Sequence, residues 1–391
     1  MTSQLPTQLQ AMMDAPLLPT YARANVTFVR GEGCRLWDDT GRSYLDFVAG
    51  VAVVGLGHRH PAPLAAAHDQ LDRLWHVSNL YYTQPMARLA SLLDERIGGG
   101  TQAFFCNSGA EAVEAALKYA RKATGRTRVV ALEDSFHGRT FGALSATGQP
   151  AKWEGFGPLV PGVSFAPPND IEAFEAAMAP SADVALVLLE PILGEGGVIP
   201  LEPEFIAAAA EIAAESGALL CADEIQTGIG RTGTFLASEQ FGLEPDIVTL
   251  AKGLGNGLPI GAMLVSDRAL RGFSAGDHGS TFGGNPVCCA AACAVVEAID
   301  DDLLSNVRDR GAELAAGLAA MPGVTGVRGK GLLLGATLDR PVAPVVDSCR
   351  DRGLLVLSAG QDVLRLTPPL VLGPAEVEEA LGVIGAVLAT G

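Results

Sequence analysis

Five short apolar runs, separated by segments with helical patterns, are the feature that most constrains the fold of this chain. They span residues 103–106, 129–132, 184–189, 218–222 and 247–251. Because these runs are apolar throughout, without polar alternation, they predict a mostly parallel sheet that helices cover on both faces. Ligands of such α/β sheets bind beyond the carboxyl ends of the strands. The polar residues that follow these runs are therefore the first candidates for a functional site.

The length of 391 residues predicts more than one domain, since one core usually takes ~100–200 residues. A large domain is predicted over residues 45–300. A small α+β domain is predicted from residues 1–44 and 301–391 together. Two short strand patterns, Val26–Arg30 and Cys34–Asp38, are expected to complete the small domain from the N-terminal side.

Composition and charge exclude several classes of partner. The 27 basic and 44 acidic residues give a net charge of −17, and the basic residues form no stripe that could follow a nucleic acid backbone. No apolar stretch approaches the ~20 residues of a membrane span, and no secretory signal pattern is present. Seven cysteines without a zinc-site spacing favour a reducing cytoplasm. His58 and His60 lie in a short glycine loop and are not expected to bind a metal.

Lys252 and Asp223 follow two of the predicted strands and indicate a cofactor. A lysine at the end of a buried strand is the kind of amine that forms a Schiff base with an aldehyde cofactor. An aspartate at a neighbouring strand end could hold a protonated pyridine nitrogen, which makes the ring an electron sink. The pair points to pyridoxal phosphate, although an aspartate in this position is, on its own, more often a turn or cap residue.

Two further segments offer groups that such a cofactor needs. Ser108, Gly109 and Ala110 follow a predicted strand and open a helix, where free N–H groups and the helix dipole favour a phosphate. The alternative is that Ser108 only caps the helix. Phe136 offers an aromatic face near the cation of Arg139, and the alternatives are a core phenylalanine and a solvated arginine.

The segments after Asp223 and near residue 280 complete the predicted site. Ile225 would pack on the ring face opposite the aromatic residue, and Gln226 would hydrogen-bond the phenolic oxygen. Ser280 and Thr281 lie in a glycine-rich turn that could approach a phosphate from a second direction. The alternative for this segment is a simple turn.

Taken in order, these segments resemble the class III pyridoxal-phosphate aminotransferases of fold type I, over nearly the whole chain. The motifs are NSGAEAVEAALKYAR, FHGRT, EPILGEGGV, DEIQTGIGRTG, AKGLGNGLPIGA and STFGGNP. The subgroup contains the acetylornithine, ornithine and γ-aminobutyrate aminotransferases, and the acetylornithine enzymes are the most similar. That similarity includes the segments at Asn79 and Thr20–Tyr21. Leu193 departs from the glutamine that is common at its position.

The resemblance implies a role for each residue of the cofactor site. Lys252 would be the Schiff-base lysine and would then move a proton between the substrate carbon and C4′ of the cofactor. Asp223 would be the partner of the pyridinium nitrogen. Thr281 would reach the phosphate in the neighbouring subunit, since family members are homodimers with shared sites. The remaining cofactor contacts implied are Ser108, Gly109, Ala110, Phe136, Ile225 and Gln226.

On the substrate side, the resemblance implies that Arg365 clamps the α-carboxylate of glutamate through a bidentate fork. Glu195 would pair with Arg365 when the amine donor arrives, and Arg139 would hold the other carboxylate. Tyr21 lies where ornithine δ-aminotransferases grip the free α-amino group of ornithine. The remaining residues predicted on the substrate side are Ser280 and Asn79.

The activity expected from this resemblance is transfer of the δ-amino group of N-acetylornithine to 2-oxoglutarate. Other ω-amino donors stay open, namely ornithine, γ-aminobutyrate and succinyl-diaminopimelate. A second class is an isomerase of the glutamate-1-semialdehyde aminomutase type, which needs no 2-oxoglutarate. A third alternative, a catalytically silent binding protein, is disfavoured because Lys252 and its partners are all present.

Overall fold

The computed structural model describes residues 12, 15–270 and 272–390. The strands are β1 (Phe28–Glu32), β2 (Arg35–Asp38), β3 (Ser43–Asp46), β4 (Thr101–Cys106), β5 (Arg128–Leu132), β6 (Val163–Ala166), β7 (Val184–Leu189), β8 (Ile192–Leu193), β9 (Ile199–Pro200), β10 (Leu219–Asp223), β11 (Ile247–Leu250), β12 (Gly261–Ser266), β13 (Val324–Lys330), β14 (Leu333–Leu338), β15 (Leu354–Leu355), β16 (Leu357–Ala359) and β17 (Val363–Leu366). The helices are α1 (Pro61–Leu71), α2 (Gln84–Arg96), α3 (Gly109–Thr124), α4 (Phe141–Ala146), α5 (Ile171–Met178), α6 (Pro203–Ser216), α7 (Pro286–Ala298), α8 (Asp301–Ala319), α9 (Val342–Asp351) and α10 (Pro374–Leu388). A short helical turn also spans Ala49–Ala52.

The central sheet has the strand order β4-β12-β11-β10-β7-β5-β6. Its strands are parallel except β12, which runs antiparallel to both β4 and β11. The five predicted apolar runs correspond to β4, β5, β7, β10 and β11, and the predicted α/β fold with a mostly parallel sheet is confirmed. The sequence analysis did not predict β6 or β12.

Helices cover both faces of this sheet, which explains why its strands are apolar throughout. Every residue of β7 is buried. Val129 and Leu186 pack with α3 on one face. Val130 and Val187, one position further along, pack with α5 and α6 on the other face. Successive side chains of a strand point to opposite faces, so a strand covered on both sides needs an apolar residue at each position.

The C-terminal part adds a second sheet of order β13-β14-β17-β16, against which α8 and α9 pack. The N-terminal strands form a separate sheet of order β1-β2-β3-β15. Within it, β3 pairs in parallel with β15, so that Leu45 lies opposite Leu354. The N-terminal segment and the C-terminal part therefore share a sheet, although the division into two domains stays a prediction. The predicted boundary at residue 45 falls inside β3.

Buried Arg231 links the central part of the chain to the segment that carries Arg365. Its guanidinium donates hydrogen bonds to the carbonyl oxygens of Leu332 and Pro368, just before β14 and just after β17. Burial without a carboxylate partner lowers the pKa of Arg231 to about 9.

Among the described helices, none is both long and apolar enough to cross a bilayer.

Candidate active site

A cavity of about 440 Å³ lies where the segments after β4, β5, β10 and β11 meet. Parallel strands bring their carboxyl ends to one edge of the sheet, so residues far apart in sequence converge there. The predicted site residues that line this cavity are Ser108, Gly109, Ala110, Phe136, Arg139, Glu195, Asp223, Ile225, Gln226 and Lys252.

Helix α3 begins at the cavity wall. Ser108 is its N-cap, and the Ser108 Oγ accepts a hydrogen bond from the N–H of Glu111 at 3.2 Å. The first N–H groups of a helix have no acceptor within the helix, so those of Gly109 and Ala110 are suited to an anion. Because the Ser108 hydroxyl acts as an acceptor in the cap, its own hydrogen can still be donated to a ligand. Capping and anion binding are therefore compatible here.

Gly109 also makes room for Ile225. A Cβ at position 109 would lie 2.7 Å from the Cδ1 of Ile225, closer than carbon atoms pack. The absence of a side chain at Gly109 thus lets Ile225 take its place on the wall of the cavity. Ile225 follows Asp223 after β10, and its N–H donates to Asp223 Oδ1 at 3.1 Å.

Asp223 is buried at the end of β10, where it is 3% exposed. Its Oδ1 also accepts a hydrogen bond from the hydroxyl of Thr249 at 3.1 Å. Its Oδ2 lies 2.7 Å from Nδ1 of His137. These contacts hold the carboxylate in one orientation at the cavity.

His137 and Thr249 are partners of Asp223 that the sequence analysis missed. His137 is buried, lines the cavity, and stands in the FHGRT motif between two residues that were singled out. Its position beside Phe136 and Arg139 was the available signal. Thr249 lies inside the apolar run of β11, and a single threonine in such a run gives no signal of function.

Lys252 follows β11 and reaches the same cavity. Its backbone φ of 41° lies in the left-handed region, which is uncommon and strained for a residue with a side chain. Burial lowers the pKa of Lys252, while the negative charges of Glu195 and Glu190 oppose that shift. A lowered pKa increases the fraction of neutral amine, the form that can accept a proton.

Glu195 and Arg365 form an ion pair beside Lys252. Arg365 Nη1 donates to Glu195 Oε1 at 2.6 Å and to the carbonyl oxygen of Gly194 at 3.1 Å. Arg365 is 3% exposed. Burial would raise the pKa of Glu195, but the charge and hydrogen bond of Arg365 outweigh it and hold that pKa below its ordinary value. This is the pairing that the family resemblance implied.

Glu190 is a second buried acid of the cavity, and the sequence analysis assigned it no role. It is 5% exposed, and it accepts hydrogen bonds from the N–H of Phe136 at 2.8 Å and of Gly194 at 3.3 Å. It thus fixes the segment of Phe136 to the segment that carries Glu195. Burial raises the pKa of Glu190 to about 7.

Five predicted residues do not line this cavity. One is Arg365, which is connected to it through its ion pair with the lining residue Glu195. Ser280 lies next to it, since its Oγ accepts a hydrogen bond from the side chain of Asn107, a lining residue, at 3.1 Å. Asn79 donates to the carbonyl oxygen of Ser280 at 3.0 Å. Thr281 and Tyr21 are exposed. A single chain therefore does not bring Ser280, Asn79, Thr281 or Tyr21 into the cavity. The roles of all the site residues stay predictions.

Comparison with known proteins decides the family. A family model described as "Aminotransferase class-III" matches residues 19–388. The chain belongs to the class III aminotransferases. This aminotransferase is 46% identical to an acetylornithine aminotransferase of Bacillus cereus, over 97% of the chain and 98% of that relative. The predicted family is confirmed.

Solved structures agree with this assignment. An N-acetylornithine aminotransferase of Stenotrophomonas maltophilia superposes with a TM-score of 0.82 at 38% identity, covering 95% of the present chain and 97% of that one. An ornithine aminotransferase of Toxoplasma gondii superposes with a TM-score of 0.92 at 32% identity, covering 97% and 93%. The latter holds pyridoxal phosphate at partial occupancy in its active site.

Class III aminotransferases depend on pyridoxal phosphate, and the residues of the cavity fit this cofactor. Two buried polar atoms, Gln226 Oε1 and His137 Nε2, have no hydrogen-bond partner within the described part of the chain. Buried polar atoms normally have partners. A helix start for the phosphate, a carboxylate for the ring nitrogen and a lysine for the aldehyde surround the same space. The cavity thus has the chemical groups that each end of the cofactor requires.

Proposed function

We propose that this aminotransferase moves the δ-amino group of N2-acetyl-L-ornithine to 2-oxoglutarate. The products are N-acetyl-L-glutamate 5-semialdehyde and L-glutamate. The observation that carries the proposal is the Arg365–Glu195 ion pair beside Lys252, in a chain 46% identical to an enzyme named acetylornithine aminotransferase. A masked arginine suits an enzyme that must accept an amine and an α-carboxylate in turn.

Different residues of the cavity bind different parts of the cofactor. When bound, pyridoxal phosphate supplies an aldehyde that carries the amino group and a ring that takes up electrons from the carbon being deprotonated. Asp223, oriented by His137 and Thr249, keeps the ring nitrogen protonated through a charge-assisted hydrogen bond. The other contacts are Ser108, Gly109 and Ala110 on the phosphate, Phe136 and Ile225 on the ring faces, and Gln226 on the phenolic oxygen.

Lys252 moves the proton. With the cofactor bound, its Nζ would be the base that takes the proton from the carbon bearing the amino group and then the acid that returns it. The lowered pKa of Lys252 supports this role, because a general base works best when its pKa is near the ambient pH. The negative charges of Glu195 and Glu190 limit the shift, so the protonated form is also accessible for the return step.

Arg365 and Glu195 distinguish the two half-reactions. With the amine donor bound, Glu195 neutralises Arg365, so that no free cation competes for the α-carboxylate of the donor. With 2-oxoglutarate bound, Glu195 releases Arg365, whose planar fork takes the α-carboxylate bidentately. Arg139, an exposed residue that lines the cavity, holds the remaining carboxylate in each case.

The working form of the enzyme is a homodimer with shared active sites. Several large apolar side chains are exposed in the single chain, and a dimer interface would bury them. They are Trp75, Leu80, Tyr81, Tyr82 and Phe282, here called the apolar patch. Asn79 bonds to the carbonyl oxygens of Ser280 and Gly283, which joins the two segments of the patch. Thr281 lies in one of these segments and reaches the phosphate site of the neighbouring subunit.

We also place the enzyme in the cytoplasm. Its seven cysteines all lie in the described part of the chain, and each is buried and free. Unpaired thiols are typical of a reducing compartment. Its reactants are small molecules, an amine donor and 2-oxoglutarate.

The proposal is tested by adding N-acetylornithine, ornithine and γ-aminobutyrate separately to the protein loaded with pyridoxal phosphate. Rapid bleaching of the yellow cofactor band by N-acetylornithine, reversed by 2-oxoglutarate, is expected. Faster bleaching by ornithine would move the assignment to an ornithine δ-aminotransferase. No bleaching by any ω-amine would overturn the proposal.

A substitution of Arg365 separates the transaminase from an aminomutase. Arg365→Lys keeps the positive charge but loses the planar fork. For a transaminase, the variant should bleach normally with N-acetylornithine and recover its band slowly with 2-oxoglutarate. An aminomutase has no separate glutamate site, so its turnover would not depend on 2-oxoglutarate in either protein.

A further inference from the structure

Lys152 is a second cation on the ring of Phe136. Its Nζ lies 5.6 Å from the centroid of that ring, and the Cζ of Arg139 lies 5.7 Å from the same centroid. Phe136 and Arg139 both line the cavity. Lys152 ends the short turn Pro150–Lys152, which follows α4 in the chain.

The turn that carries Lys152 is anchored on both sides. The Gln149 side chain donates to the carbonyl oxygens of Asp134 and Ser135 at 3.1 and 3.2 Å, immediately before Phe136 in the chain. On the other side, Trp153 Nε1 donates to the carbonyl oxygen of Thr147 at 2.8 Å. The backbone at Lys152 is therefore fixed relative to Phe136, and its side chain starts from a defined place.

The charge of Lys152 has no partner of its own. Within the described residues, no carboxylate lies within 4.0 Å of its Nζ. Burial lowers the pKa of Lys152, the charge of Arg139 lowers it further, and the charge of Glu195 raises it. Both Arg139 and Glu195 are therefore close enough for their fields to act on this amine.

Each acid of the cavity already has a hydrogen-bond or ion-pair partner. Glu195 is paired with Arg365, Asp223 lies against His137, and Glu190 accepts two backbone N–H groups. Arg139 and Lys152 thus both lie within about 6 Å of the centroid of the Phe136 ring, and neither forms an ion pair with a described carboxylate. Such a pair is suited to one carboxylate of a ligand.

We propose that Lys152 acts with Arg139 to bind the carboxylate that lies far from the reacting carbon. This inference rests on the proposed function and refines its substrate class. The far carboxylate is the α-carboxylate of an N-acylated diamino acid in one half-reaction and the γ-carboxylate of 2-oxoglutarate in the other. Lys152 is accordingly a specificity residue that favours reactants with this far carboxylate. Among oxo acids, these are the ones with a carboxylate at each end.

The test uses glutarate, a dicarboxylate that has no oxo group and cannot react. Its binding to the protein loaded with pyridoxal phosphate is measured by calorimetry at low and high salt. We expect Lys152→Met to weaken glutarate binding about fivefold at low salt and less at high salt, as for a partly exposed ion pair. Lys152→Arg, which keeps the charge, should stay within about twofold of the wild type.

The matched control is Lys330→Met. Lys330 also lies over a phenylalanine ring, 4.8 Å from the centroid of Phe241, but that ring does not line the cavity, whereas Phe136 does. This variant should bind glutarate as the wild type does. It controls for loss of one positive charge from a chain of net charge −17.

Affinity for pyridoxal phosphate separates a role in carboxylate binding from support of Phe136. If Lys152→Met weakens glutarate and leaves cofactor affinity unchanged, the proposal holds. Unchanged glutarate affinity, equal weakening of glutarate and cofactor, or no measurable glutarate binding by the wild type would each overturn it. Glutarate binding needs no turnover, so a failure of N-acetylornithine to react would reject the proposed donor without deciding the role of Lys152.

Discussion

His137 Nδ1 lies 2.7 Å from Asp223 Oδ2, and both side chains are buried at the edge of the central sheet. The contact joins the segment after β5 to the end of β10. It leaves His137 Nε2 without a hydrogen-bond partner among the described residues. The orientation of the carboxylate proposed to face the cofactor nitrogen therefore depends on a residue from the segment after another strand.

The first prediction concerns His137→Phe, which removes the contact and keeps a ring in the same space. A hydrogen bond to a charged group contributes about 1.5–3 kcal/mol, so affinity for pyridoxal phosphate should fall roughly 10- to 100-fold. Equilibrium dialysis of the cofactor measures this. Wild-type affinity in the variant would show that Thr249 and the backbone alone orient Asp223.

The second prediction concerns Lys252→Ala. Without the amine that moves the proton, turnover should fall by about 10²–10⁴-fold or more, as for loss of a general base. Steady-state assay with N-acetylornithine and 2-oxoglutarate measures the loss. The free energy of unfolding should not fall, because burial of the Lys252 amine, which lowers its pKa, is unfavourable in the folded protein. Residual activity near that of the wild type would contradict the role of Lys252.

The candidate cofactor residues could be predicted from the sequence, because these polar residues directly follow apolar strands. Asp223 ends β10 and Lys252 follows β11, so the parallel sheet alone places them at one edge. Both line the cavity. The same reasoning could not reach Glu190, because a lone carboxylate after β7 looks like any other residue of a turn. Its role is visible only in the structure, where it accepts hydrogen bonds from the N–H groups of Phe136 and Gly194 and so joins their two segments.

Strand β12 was missed for a different reason. Its sequence, GAMLVS, follows Lys252 so closely that only the short 3₁₀ turn Lys252–Gly255, and no α-helix, lies between β11 and β12. A parallel crossover needs a helix, whereas an antiparallel neighbour needs only a short connection. The pattern of alternating strands and helices therefore did not include it. The role proposed for Thr281 could not be derived from sequence patterns, because a contact with a second subunit leaves no periodic signal within one chain.

The third prediction concerns Glu195→Gln, which removes the charge that neutralises Arg365. Arg365 would then stay available, so 2-oxoglutarate should bind more tightly and N-acetylornithine more weakly, each by up to about tenfold. Separate titrations of the two half-reactions measure both constants. Glu378→Gln, an exposed glutamate on α10, is the matched control. Equal weakening of both reactants would instead indicate that Glu195 supports the cavity without switching.

The fourth prediction concerns pH and Glu190. Its pKa is about 7 in the folded protein against an ordinary value of 4.5, so the folded state holds this proton more firmly than the unfolded state does. The contribution of this proton to the free energy of unfolding is fully present below about pH 4.5. It is lost as the pH rises through about 7. At one titrating group, the loss is on the order of 3 kcal/mol.

Glu190→Gln should remove this pH dependence and add a constant offset, because its amide nitrogen cannot accept from a backbone N–H. Urea unfolding of both proteins without cofactor, from pH 5 to pH 8, measures the difference in slope. Parallel curves for the variant and the wild type would show that Glu190 does not bind its proton more firmly when folded.

The fifth prediction concerns the apolar patch and the sharing of sites between subunits. Leu80 is 81% exposed and Tyr82 is 98% exposed in the single chain, and a charge in a buried interface is costly. Leu80→Glu should therefore shift the protein towards monomers in sedimentation and lower activity with it. Ile171→Glu, at an exposed apolar residue at the start of α5, is the control and should stay dimeric.

Mixing two impaired variants tests the sharing directly. Lys252→Ala lacks the proposed base, and Thr281→Ala lacks the residue proposed to reach the neighbouring phosphate. In a mixed dimer, one site would combine Lys252 of one subunit with Thr281 of the other and would be intact. Random exchange of equal amounts makes half of the dimers mixed, so about a quarter of wild-type sites should return in a twofold-symmetric dimer. If Thr281 instead serves the site of its own subunit, no mixed dimer holds an intact site, and activity would not rise on mixing.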